Sequence, residues 1–538
     1  METTSVKRTF HLNVAHYYST IKSRLTPEWL IILGLALIKL SIHFLTNTNY
    51  ELHRDALLYL SLADHPDWGY FSVPPGVAMI AGISQYLFGD SVFAIRLFPA
   101  LVGTLSVVII GLLVKEMGGG KWAIVLACSA FILSPAFLRS NSMLQPVSFN
   151  QFFWLLTAYL FLKMVVREDP RYWIHLGITW GLAFLTKYSI VFMAAGCLVA
   201  LLCVPQRKLI ISRYAVIGAV LGFLTILPNL IWQHQHNWLV LHHMAELQRT
   251  QLVHVDIGNF MIMQLLMNLP AVFIWLAGLL FLIFSSDGRK FRVLGFAFLA
   301  VLLLLIMLRG KHYYTLGAYP KLFAAGGVAI EFYFSERWRF IRQTALVFIL
   351  LMLLPMLPFS LPVLSHESMS AYAGTMQHYG FKNALRWEDG RFHKLPQDYA
   401  DMTGWADIAT IVINIYNGLS EEEKMNCYIY AENYGQAGAI KYHDRNNSLP
   451  EPISFSDNYL LWAPEDIEIE TFIYINDELG EDIASHFADI QLAGELVNPH
   501  AREKGTQVYV CRQPLNNFSA KYRAKAIQLK THFQRENH

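Results

Sequence analysis

The stretch VFAIRLFPALVGTLSVVIIGLLV, residues 92–114, decides the class of fold. As a helix, a run of about twenty apolar residues crosses the hydrocarbon of a bilayer. Similar runs recur along the first two thirds of the chain, beginning with Trp29–Leu45. The sequence therefore predicts a multi-pass membrane protein and excludes a soluble enzyme built around one large core.

About eleven spans are predicted in all. They lie near residues 29–45, 92–114, 122–138, 149–166, 173–187, 188–204, 214–232, 260–284, 292–309, 314–333 and 343–361. The region 173–204 is read as two short spans because Lys187-Tyr188 separates its apolar halves. A cleavable signal peptide is not expected, because the polar start Met1–Pro27 is long and no small-residue cleavage site follows the first span.

Charge gives the orientation of these spans. Lysine and arginine fill the N-terminus and five loops, at Lys115–Lys121, Arg167–Arg171, Gln206–Arg213, Arg289–Arg292 and Arg337–Arg342. These segments alternate as cytoplasmic loops do under the positive-inside rule. The Arg54-Asp55 loop and the tail from about residue 363 are therefore predicted to lie outside, and the protein is placed in a cytoplasmic (inner) membrane.

Six further cations map to the outer side, where the orientation rule gives no reason for them. They are Arg54, Arg96, Arg139, Lys187, Arg309 and Lys311. Any one of them could snorkel to a lipid headgroup or pair with an acid. Six on one face favour an anion site, and a lipid-linked phosphate is the simplest anion that would require it.

The first external loop combines charged, aromatic and proline residues. Trp68-Gly69-Tyr70 either belongs to an interfacial aromatic belt or stacks on a sugar ring. Pro74-Pro75 opens the apolar segment Pro74–Leu87, which is too short to span and is predicted to be an amphipathic helix along the outer interface. Asp55 either caps the following helix or acts as a general base, and the two roles are compatible.

The sequence gives little support for a metal or cofactor site. Histidines cluster in one external loop, at positions 234, 236, 242, 243 and 254. No carboxylate or cysteine stands at a ligand spacing beside them, so the loop is interpreted as part of a cover over the site. The sequence requires no cofactor, because lysine and arginine alone can neutralise a monophosphate.

From about residue 363 the composition changes, and a small α/β domain is predicted over 363–538, after a membrane domain over 1–362. Thr403–Leu419 has helical periodicity, and a helix is also predicted over Asp477–Phe487. Three strands are predicted, at Asn426–Ala431, Thr471–Asn476 and Gln507–Arg512. The domain either binds an acceptor or packs over the first loop.

Two of the five cysteines fall in this tail. Cys427 and Cys511 would form a disulfide if the tail faces an oxidising compartment. The other three lie in apolar spans, where cysteine behaves as a small hydrophobe.

Several motifs together resemble the GT-C superfamily of polyprenyl-phosphate-sugar glycosyltransferases, in particular the family 39-like group that includes protein mannosyltransferases and lipid A aminoarabinose transferase. The motifs are the Arg54-Asp55-Ala56 loop, FGDSVFAIRLFPALVGTLSV (88–107), LSPAFLRSNSMLQP (133–146), GLAFLTKYS (181–189), LPNLIWQHQHNW (227–238) and GKHYYTLGAYPKLFAAGGVAIE (310–331). The resemblance covers roughly residues 29–335 and continues more weakly at YAENYGQAGAIKYH (430–443).

The sequence departs from this group at two positions. Many relatives carry Asp-Glu in the first loop, whereas this chain has Asp55-Ala56. Relatives also often have an Asp where this chain has Gln145. The role of a second acid, in acceptor or metal contact, is therefore in doubt.

The resemblance implies an all-α polytopic GT-C fold and an inverting enzyme that moves a sugar from a polyprenyl (undecaprenyl) phosphate to a hydroxyl of a glycolipid, an envelope polysaccharide or a protein. Asp55 is the expected base. Lys187 is the first candidate for the donor phosphate, followed by Arg139, Arg309 and Lys311, with Arg54 and Arg96 as further candidates. A structural pairing of Lys187 with a carboxylate is the alternative.

A carrier groove is expected beside these cations. Its candidate residues are Trp68, Tyr70, Pro74, Pro75, His312, Tyr313, Tyr314 and Tyr319. An interfacial aromatic belt explains the tyrosines almost as well.

The competing function class is a lipid or sugar flippase. Such a transporter would place charges near the middle of its spans, often in two related halves. Here the polar groups collect at the outer ends of spans and no repeat is seen, which favours the transferase. No basic run or nucleic-acid motif is present.

Overall fold

The protein is described by a computed structural model over residues 26–250, 252–334 and 336–535. The predictions made for the polar N-terminus, its cytoplasmic side and its lack of a cleavage signal, concern residues outside this part of the chain.

Helices dominate the chain up to residue 360. They are α1 (Pro27–Thr46), α2 (Arg54–Asp64), α3 (Gly76–Phe88), α4 (Val92–Glu116), α5 (Lys121–Ile132), α6 (Pro135–Ser140), α7 (Pro146–Arg167), α8 (Tyr172–Phe184), α9 (Ile190–Leu202), α10 (Arg213–Gln235), α11 (Leu239–Thr250), α12 (Ile257–Leu266), α13 (Val272–Phe284), α14 (Arg292–Met307), α15 (Pro320–Tyr333), α16 (Arg339–Leu353) and α17 (Leu357–Ser360). Short 3₁₀ helices join several of them, including His312–Ala318. Each of the eleven predicted spans contains a helix.

Within the described residues, six helices are long and apolar enough to cross a membrane, and a seventh crossing results if the bent pair 257–266 and 269–284 counts as one. The two parts of that pair meet at 71°. This is a multi-pass membrane protein. The number eleven stays a prediction, because helices such as α8, α9 and α15 have only 13, 13 and 14 residues.

Proline and glycine shape the membrane helices. The predicted span 122–138 is broken, because α5 ends at Ile132 and α6 restarts at Pro135, whose ring disfavours helical geometry in the residue before it. α8 and α10 cross at Gly177 and Gly218, where a Cβ on Gly177 would lie 1.9 Å from the Gly218 carbonyl oxygen. Such small residues let membrane helices pack backbone to backbone.

The predicted interfacial helix is present as α3. Val77, Ala78 and Ala81 are buried against the protein, whereas Met79 and Ile83 are exposed on another face. The exposed side chains are apolar as well, so α3 does not show the polar face of the predicted amphipathic helix. Its position in the membrane interface stays a prediction.

The tail forms a small sheet flanked by helices, as predicted. Its elements are α18 (His366–Met376), α19 (Gln397–Ala400), α20 (Trp405–Gly418), α21 (Glu421–Met425), β1 (Cys427–Ala431), α22 (Tyr434–His443), α23 (Tyr459–Trp462), β2 (Thr471–Asn476), α24 (Glu481–Ala484), β3 (Phe487–Glu495), β4 (Gln507–Pro514) and α25 (Phe518–Arg535). The strand order is β1-β2-β4-β3, with β1 and β2 parallel and the other pairs antiparallel.

The tail is fastened to the first external loop by a shared apolar core. Leu57 on α2 and Val77 on α3 belong to the same buried cluster as Trp405, Ile429 and Ile473 of the tail. The Glu51 carboxylate also accepts the backbone N–H of Trp405 at 2.7 Å, at the start of α20. Residues 363 onward are thus packed onto the loop.

The disulfide considered as a possibility for Cys427 and Cys511 is not formed in this fold. Cys427 lies on β1 and Cys511 on β4, and β2 runs between these strands. Two strand spacings separate them by about 10 Å, beyond the roughly 7 Å that a disulfide tolerates between Cα atoms. Both thiols are free and buried.

Candidate active site

Asp55 lies at the start of α2, one residue inside the helix. Its backbone N–H donates to Nδ1 of His53 at 3.2 Å, so His53 is the N-cap. The capping role considered for Asp55 therefore belongs to His53. Because Nδ1 accepts, the ring proton sits on Nε2, which lies 3.7 Å from the Asp401 carboxylate.

The carboxylate of Asp55 is held from two sides by neutral donors. The Tyr434 hydroxyl donates to Oδ1 at 3.0 Å, and the Gln145 amide donates to Oδ2 at 3.1 Å. The side chain keeps 30% of its surface exposed. Asp55 is thus oriented by the protein while one side of it stays open to a ligand.

Arg54 packs against the same tyrosine. Its guanidinium lies 4.7 Å from the Tyr434 ring centroid, and its buried Nε has no hydrogen-bond partner among the described residues. Burial lowers the pKa of Arg54, but the nearby Tyr434 and Asp401 outweigh it and raise that pKa above its usual value. Arg54 is thus a permanent cation beside Asp55.

Burial, with the charge of Asp55, raises the pKa of Tyr434 well above its usual value. The phenol therefore stays protonated and keeps donating to Asp55.

A second group of acids lies behind His53 and is already neutralised. Asp401 accepts two hydrogen bonds from Arg502, at 3.0 and 3.1 Å, and Asp398 forms an ion pair with Arg139. Ligand atoms of His53, Asp398 and Asp401 lie within 4.8 Å of one another, which is the spacing of a metal site. The two arginines supply the positive charge that a metal would bring, so the residues fit a salt-bridge network better than a metal centre.

Lys187 follows α8, beside the loop that carries the predicted carrier tyrosines. Its ammonium lies 5.7 and 5.4 Å from the ring centroids of Tyr313 and Tyr314, and Lys311 lies 6.0 Å from the Tyr313 ring. Among the residues described, no carboxylate lies within 4.0 Å of Lys187, whose main charged neighbours are Lys311 and Asp55. The structure therefore brings Lys187, Lys311, Tyr313 and Tyr314 together, with Asp55 as a charged neighbour of Lys187.

Other predicted phosphate ligands are engaged elsewhere. Arg96 is buried and donates to the backbone carbonyls of Asn47, Asn49 and Glu51 at 2.8, 2.8 and 2.5 Å. Its donors are used to hold the start of the first loop. Arg309 is exposed, with a 3.5 Å hydrogen bond to the Val253 carbonyl.

The first-loop aromatics have divided roles. Tyr70 is buried, and its hydroxyl donates to the carbonyls of Leu62 and His65 at 2.9 and 3.1 Å, so it closes the end of α2. Trp68 is 50% exposed, and its carbonyl accepts from the Asn229 amide at 2.7 Å. Of the two, only Trp68 presents its ring to a ligand or to lipid.

The double proline leads the chain to Lys187. Pro74 and Pro75 are buried, and the N–H of Gly76 donates to the Leu185 carbonyl at 2.6 Å. A Cβ at Gly76 would lie 2.5 Å from that oxygen, so only glycine allows this approach. The loop is thereby fixed two residues before Lys187.

His312 and Tyr319 lie in different surroundings. The His312 ring meets the Tyr313 ring edge to face at 5.9 Å, and its backbone carbonyl accepts from the Thr315 hydroxyl at 2.8 Å. Tyr319 is fully buried among the membrane helices, and its hydroxyl donates to the Gln264 side chain at 2.8 Å. The structure places Tyr319 in the helix core, apart from the tyrosines that face Lys187.

Sequence reasoning missed the partners that come from the tail. Tyr434, Asp401 and Arg502 lie far from Asp55 along the chain. Tyr434 does fall within the segment 430–443 that continues the family resemblance. That segment was the one available signal that the tail contributes to the site.

Comparisons with known proteins agree with this picture. Residues 72–232 match the family model described as dolichyl-phosphate-mannose-protein mannosyltransferase. The curated lipid A galacturonosyltransferase RgtD of Rhizobium johnstonii is 25% identical over 224 residues, which are 40% of this chain and 46% of that protein. The chain thus spans less than half the length of that relative.

Solved structures show the fold over most of the chain. ArnT from Cupriavidus metallidurans in the apo state is 15% identical, with a TM-score of 0.59 over 90% of this chain and 97% of that one. The same protein bound to undecaprenyl phosphate is 14% identical, with a TM-score of 0.61 over 90% and 98%. Relative and fold are both those of glycosyltransferases, and the resemblance to the GT-C superfamily is confirmed.

Proposed function

We propose that this protein transfers a sugar from a polyprenyl-phosphate donor to an acceptor hydroxyl, with inversion, at the outer face of the cytoplasmic membrane. The observation that carries the proposal is the proximity of opposite charges. Asp55 is an oriented, partly exposed carboxylate and, with Lys311, is a charged neighbour of Lys187. In the described structure neither lysine has an acid partner within ion-pair distance.

Asp55 is the proposed base. One of its carboxylate oxygens takes the proton of the acceptor hydroxyl, while the acceptor oxygen bonds to the anomeric carbon of the sugar. The bond between that carbon and the phosphate oxygen breaks, and its electron pair leaves with the phosphate. A single displacement of this kind inverts the sugar carbon.

The lysines are the proposed phosphate ligands. Loss of the sugar turns a phosphodiester with one negative charge into a phosphate monoester with nearly two. Fixed cations stabilise this growing charge more than they stabilise the starting donor, which is the condition for lowering the barrier. Tyr313 and Tyr314 hold the Lys187 ammonium from one side and leave its remaining donors for the phosphate.

Tyr434 and Gln145 act as positioning residues for Asp55 in this scheme. Each supplies one hydrogen bond from a neutral donor, which orients the carboxylate. Gln145 stands where relatives often have an acid. In this chain it serves the first acid, and no second acid from that position is needed for the proposed step.

The lipid carrier is proposed to reach the site beside α3. This helix exposes apolar side chains on one face, and its first turn is fixed to the segment just before Lys187. Support for an undecaprenyl carrier comes from ArnT, whose fold this chain shares and which has been solved bound to undecaprenyl phosphate.

The test is a transfer assay with purified full-length protein in lipid nanodiscs. Undecaprenyl phosphate carrying a radiolabelled sugar is supplied with a membrane glycolipid extract. We expect labelled glycolipid and free undecaprenyl phosphate in equal amounts, both lost in Asp55→Asn. Movement of intact donor between leaflets of proteoliposomes, without cleavage of the sugar–phosphate bond, would show a flippase.

A further inference from the structure

Near its start the tail carries a short, positively charged hairpin between α18 and α19, residues 382–394, which we call the basic hairpin. Its two arms form an antiparallel bridge at which Arg386 faces Phe392, and the Trp387 N–H donates to the Arg391 carbonyl at 3.0 Å. Gly390 makes the turn with a φ of 77°, which glycine adopts without strain. The hairpin is thus an ordered element.

The inner face of the basic hairpin is its packing face. Leu385 and Leu395 are buried in one apolar cluster with Phe359. The rings of Trp387 and His393 stack on each other at 3.6 Å, and the Trp387 indole N–H donates to the Leu395 carbonyl at 2.8 Å. The inner face therefore fixes the hairpin to the body of the protein.

The exposed face combines three cations with an aromatic ring. Side chains that face each other across an antiparallel bridge lie on the same side, so Arg386 and Phe392 share this face. The Lys382 ammonium lies 4.6 Å from the centroid of the Phe392 ring. Lys394 follows two residues after Phe392, and all four side chains are exposed.

The basic hairpin is attached to the end of a membrane helix. Residues 339–360 form one of the helices that are long and apolar enough to cross a membrane. Phe381, the residue before the hairpin, stacks on Phe359 with ring centroids 5.4 Å apart and ring planes 6° from parallel. After the hairpin, the Tyr399 hydroxyl donates to the Pro358 carbonyl at 2.6 Å. The hairpin therefore stands beside the end of the helix, where lipid headgroups are expected.

The cations of the exposed face lack an acid partner. Among the residues that the structure describes, no carboxylate lies within 4.0 Å of Lys382, Arg386 or Lys394, and Asp389 of the same hairpin pairs with His393 at 2.9 Å. Under the predicted topology, the positive-inside rule gives no reason for cations here. Lysine and arginine beside an aromatic ring are typical of surfaces that meet lipid headgroups.

We infer that the exposed face of the basic hairpin binds the phosphates of anionic phospholipids in the adjoining leaflet. Lys382, Arg386 and Lys394 contact the headgroups, and Phe392 enters the membrane interface. The contact holds the tail against the bilayer at the point where the chain leaves its last predicted span. The inference does not depend on the proposed reaction, so it stands or falls separately from it.

The experiment measures hydrogen exchange of the full-length protein in two kinds of nanodisc. One contains phosphatidylcholine alone, and the other contains phosphatidylcholine and phosphatidylglycerol in equal parts. The test variant combines Lys382→Gln, Arg386→Gln and Lys394→Gln. The matched control combines Lys521→Gln, Arg523→Gln and Lys525→Gln, at three exposed cations of α25. Exchange in β2 reports whether each variant is folded.

We expect the amides of residues 382–394 in wild type to exchange about threefold or more slowly in the anionic nanodiscs than in the neutral ones. Each lysine or arginine near an anionic surface strengthens binding about fivefold, so the test variant loses about 100-fold and should show no difference between the lipids. The control variant should behave as wild type. Salt at about 1 M should remove the protection from wild type, because it screens the headgroup charge.

Three results would overturn the inference. The first is equal exchange of the basic hairpin in the two nanodiscs for wild type. The second is protection that the test variant retains, or that the control variant loses to the same extent. The third is protection in neutral nanodiscs on addition of inorganic phosphate, which would assign the cations to a soluble anion. Should the test variant fail to fold, the salt dependence of wild type decides, and protection that persists at about 1 M salt would count against the inference.

Discussion

Arg96 and Lys187 both lie near the outer ends of apolar helices, yet their surroundings are opposite. The Arg96 guanidinium donates hydrogen bonds to three backbone carbonyls at the start of the first loop. Lys187 meets the faces of two tyrosines and, in the described part of the chain, has no carboxylate at ion-pair distance. The two residues look alike in the sequence, because both are cations predicted to lie outside, where the positive-inside rule does not explain them. In the structure Arg96 holds the first loop in place, whereas Lys187 is a candidate for binding the substrate.

The largest expected effect comes from changing Asp55. Because Asp55 is the acidic neighbour of Lys187, this change tests whether the Lys187 region is a reaction site. Asp55→Asn removes the base while keeping both neighbouring hydrogen-bond partners within reach. We expect turnover to fall about 100- to 10,000-fold with normal insertion in the membrane. Asp67→Asn, an exposed acid of the same loop, is the control, and activity of Asp55→Asn within tenfold of wild type would remove Asp55 from the role.

The next effect concerns the hydrogen bonds by which Arg96 holds the first loop in place. Arg96→Met leaves three buried carbonyls without their donors, at about 1–3 kcal/mol each where no water replaces them. We expect a free energy of unfolding lower by about 3 kcal/mol or more, seen as a reduced melting temperature in detergent. Lys187→Met should leave the melting temperature near that of wild type. Equal destabilisation by the two variants would erase the distinction between the two cations.

Lys187→Ala tests the other half of the comparison through kinetics. Loss of one charge-assisted contact to the donor phosphate should raise the apparent KM for the lipid donor about tenfold or more. Lys187→Arg should recover part of this loss, because the positive charge is retained. Lys208→Ala, at an exposed lysine beyond the opposite end of α9, should behave as wild type. An unchanged donor KM in Lys187→Ala would indicate a structural lysine.

Tyr434→Phe measures how much the tail contributes to Asp55. The variant removes one hydrogen bond to the carboxylate and keeps the ring beneath Arg54. We expect kcat to fall about two- to tenfold with little change in KM, as for a net hydrogen bond of about 0.5–1.5 kcal/mol. Tyr416→Phe, on α20, serves as control. A variant with full kcat would show that Gln145 alone suffices to orient Asp55.

The smallest effect is a pH dependence of the contact between loop and tail. His65 at the end of α2 lies 3.3 Å from Glu451 of the tail. A hydrogen bond to Glu451 raises the pKa of His65, and the bond to His65 lowers the pKa of Glu451 to about 2. The histidine contribution is complete below its unfolded pKa of about 6.5 and is lost as pH rises through the higher folded value. The glutamate contribution is complete above its unfolded value of about 4.5 and is lost as pH falls towards 2.

Hydrogen exchange in α22 should therefore be slowest between about pH 4.5 and 6.5, after correction for intrinsic exchange. Both side chains are partly exposed, so the contribution is expected to stay within about 1 kcal/mol. His65→Asn should flatten the profile. The same profile in wild type and in His65→Asn would assign the pH dependence to other groups.

The sequence predicted the membrane helices well and the tail in part. Apolar runs are a signal carried by composition alone, so every predicted span contains a helix. Strand β3 was missed, and its first residue, Phe487, was assigned to a helix predicted over Asp477–Phe487. Within that predicted helix, only Glu481–Ala484 is helical. β3 is an edge strand whose residues are mostly exposed, so it lacks the alternation that marks a half-buried strand.

The residues of the candidate site that could be predicted are those whose charge is unusual at their position. Asp55 and Lys187 stand out because charges beside apolar spans need a reason. The division between Arg96 and Lys187 was hidden, because it depends on which carbonyls or rings fold against each cation. Tyr434 was hidden for the same reason, since no local pattern marks a residue that contacts another one hundreds of positions earlier in the chain.

The hydrogen bond between Asp55 and Tyr434 joins residues 379 positions apart. During synthesis Asp55 therefore leaves the ribosome long before Tyr434 does. Under the proposed topology, the tail must be carried across the bilayer and folded before this hydrogen bond can form. Under the proposed function, a nascent or truncated chain would hold Asp55 without its support from the tail, so full activity would begin only once export is complete.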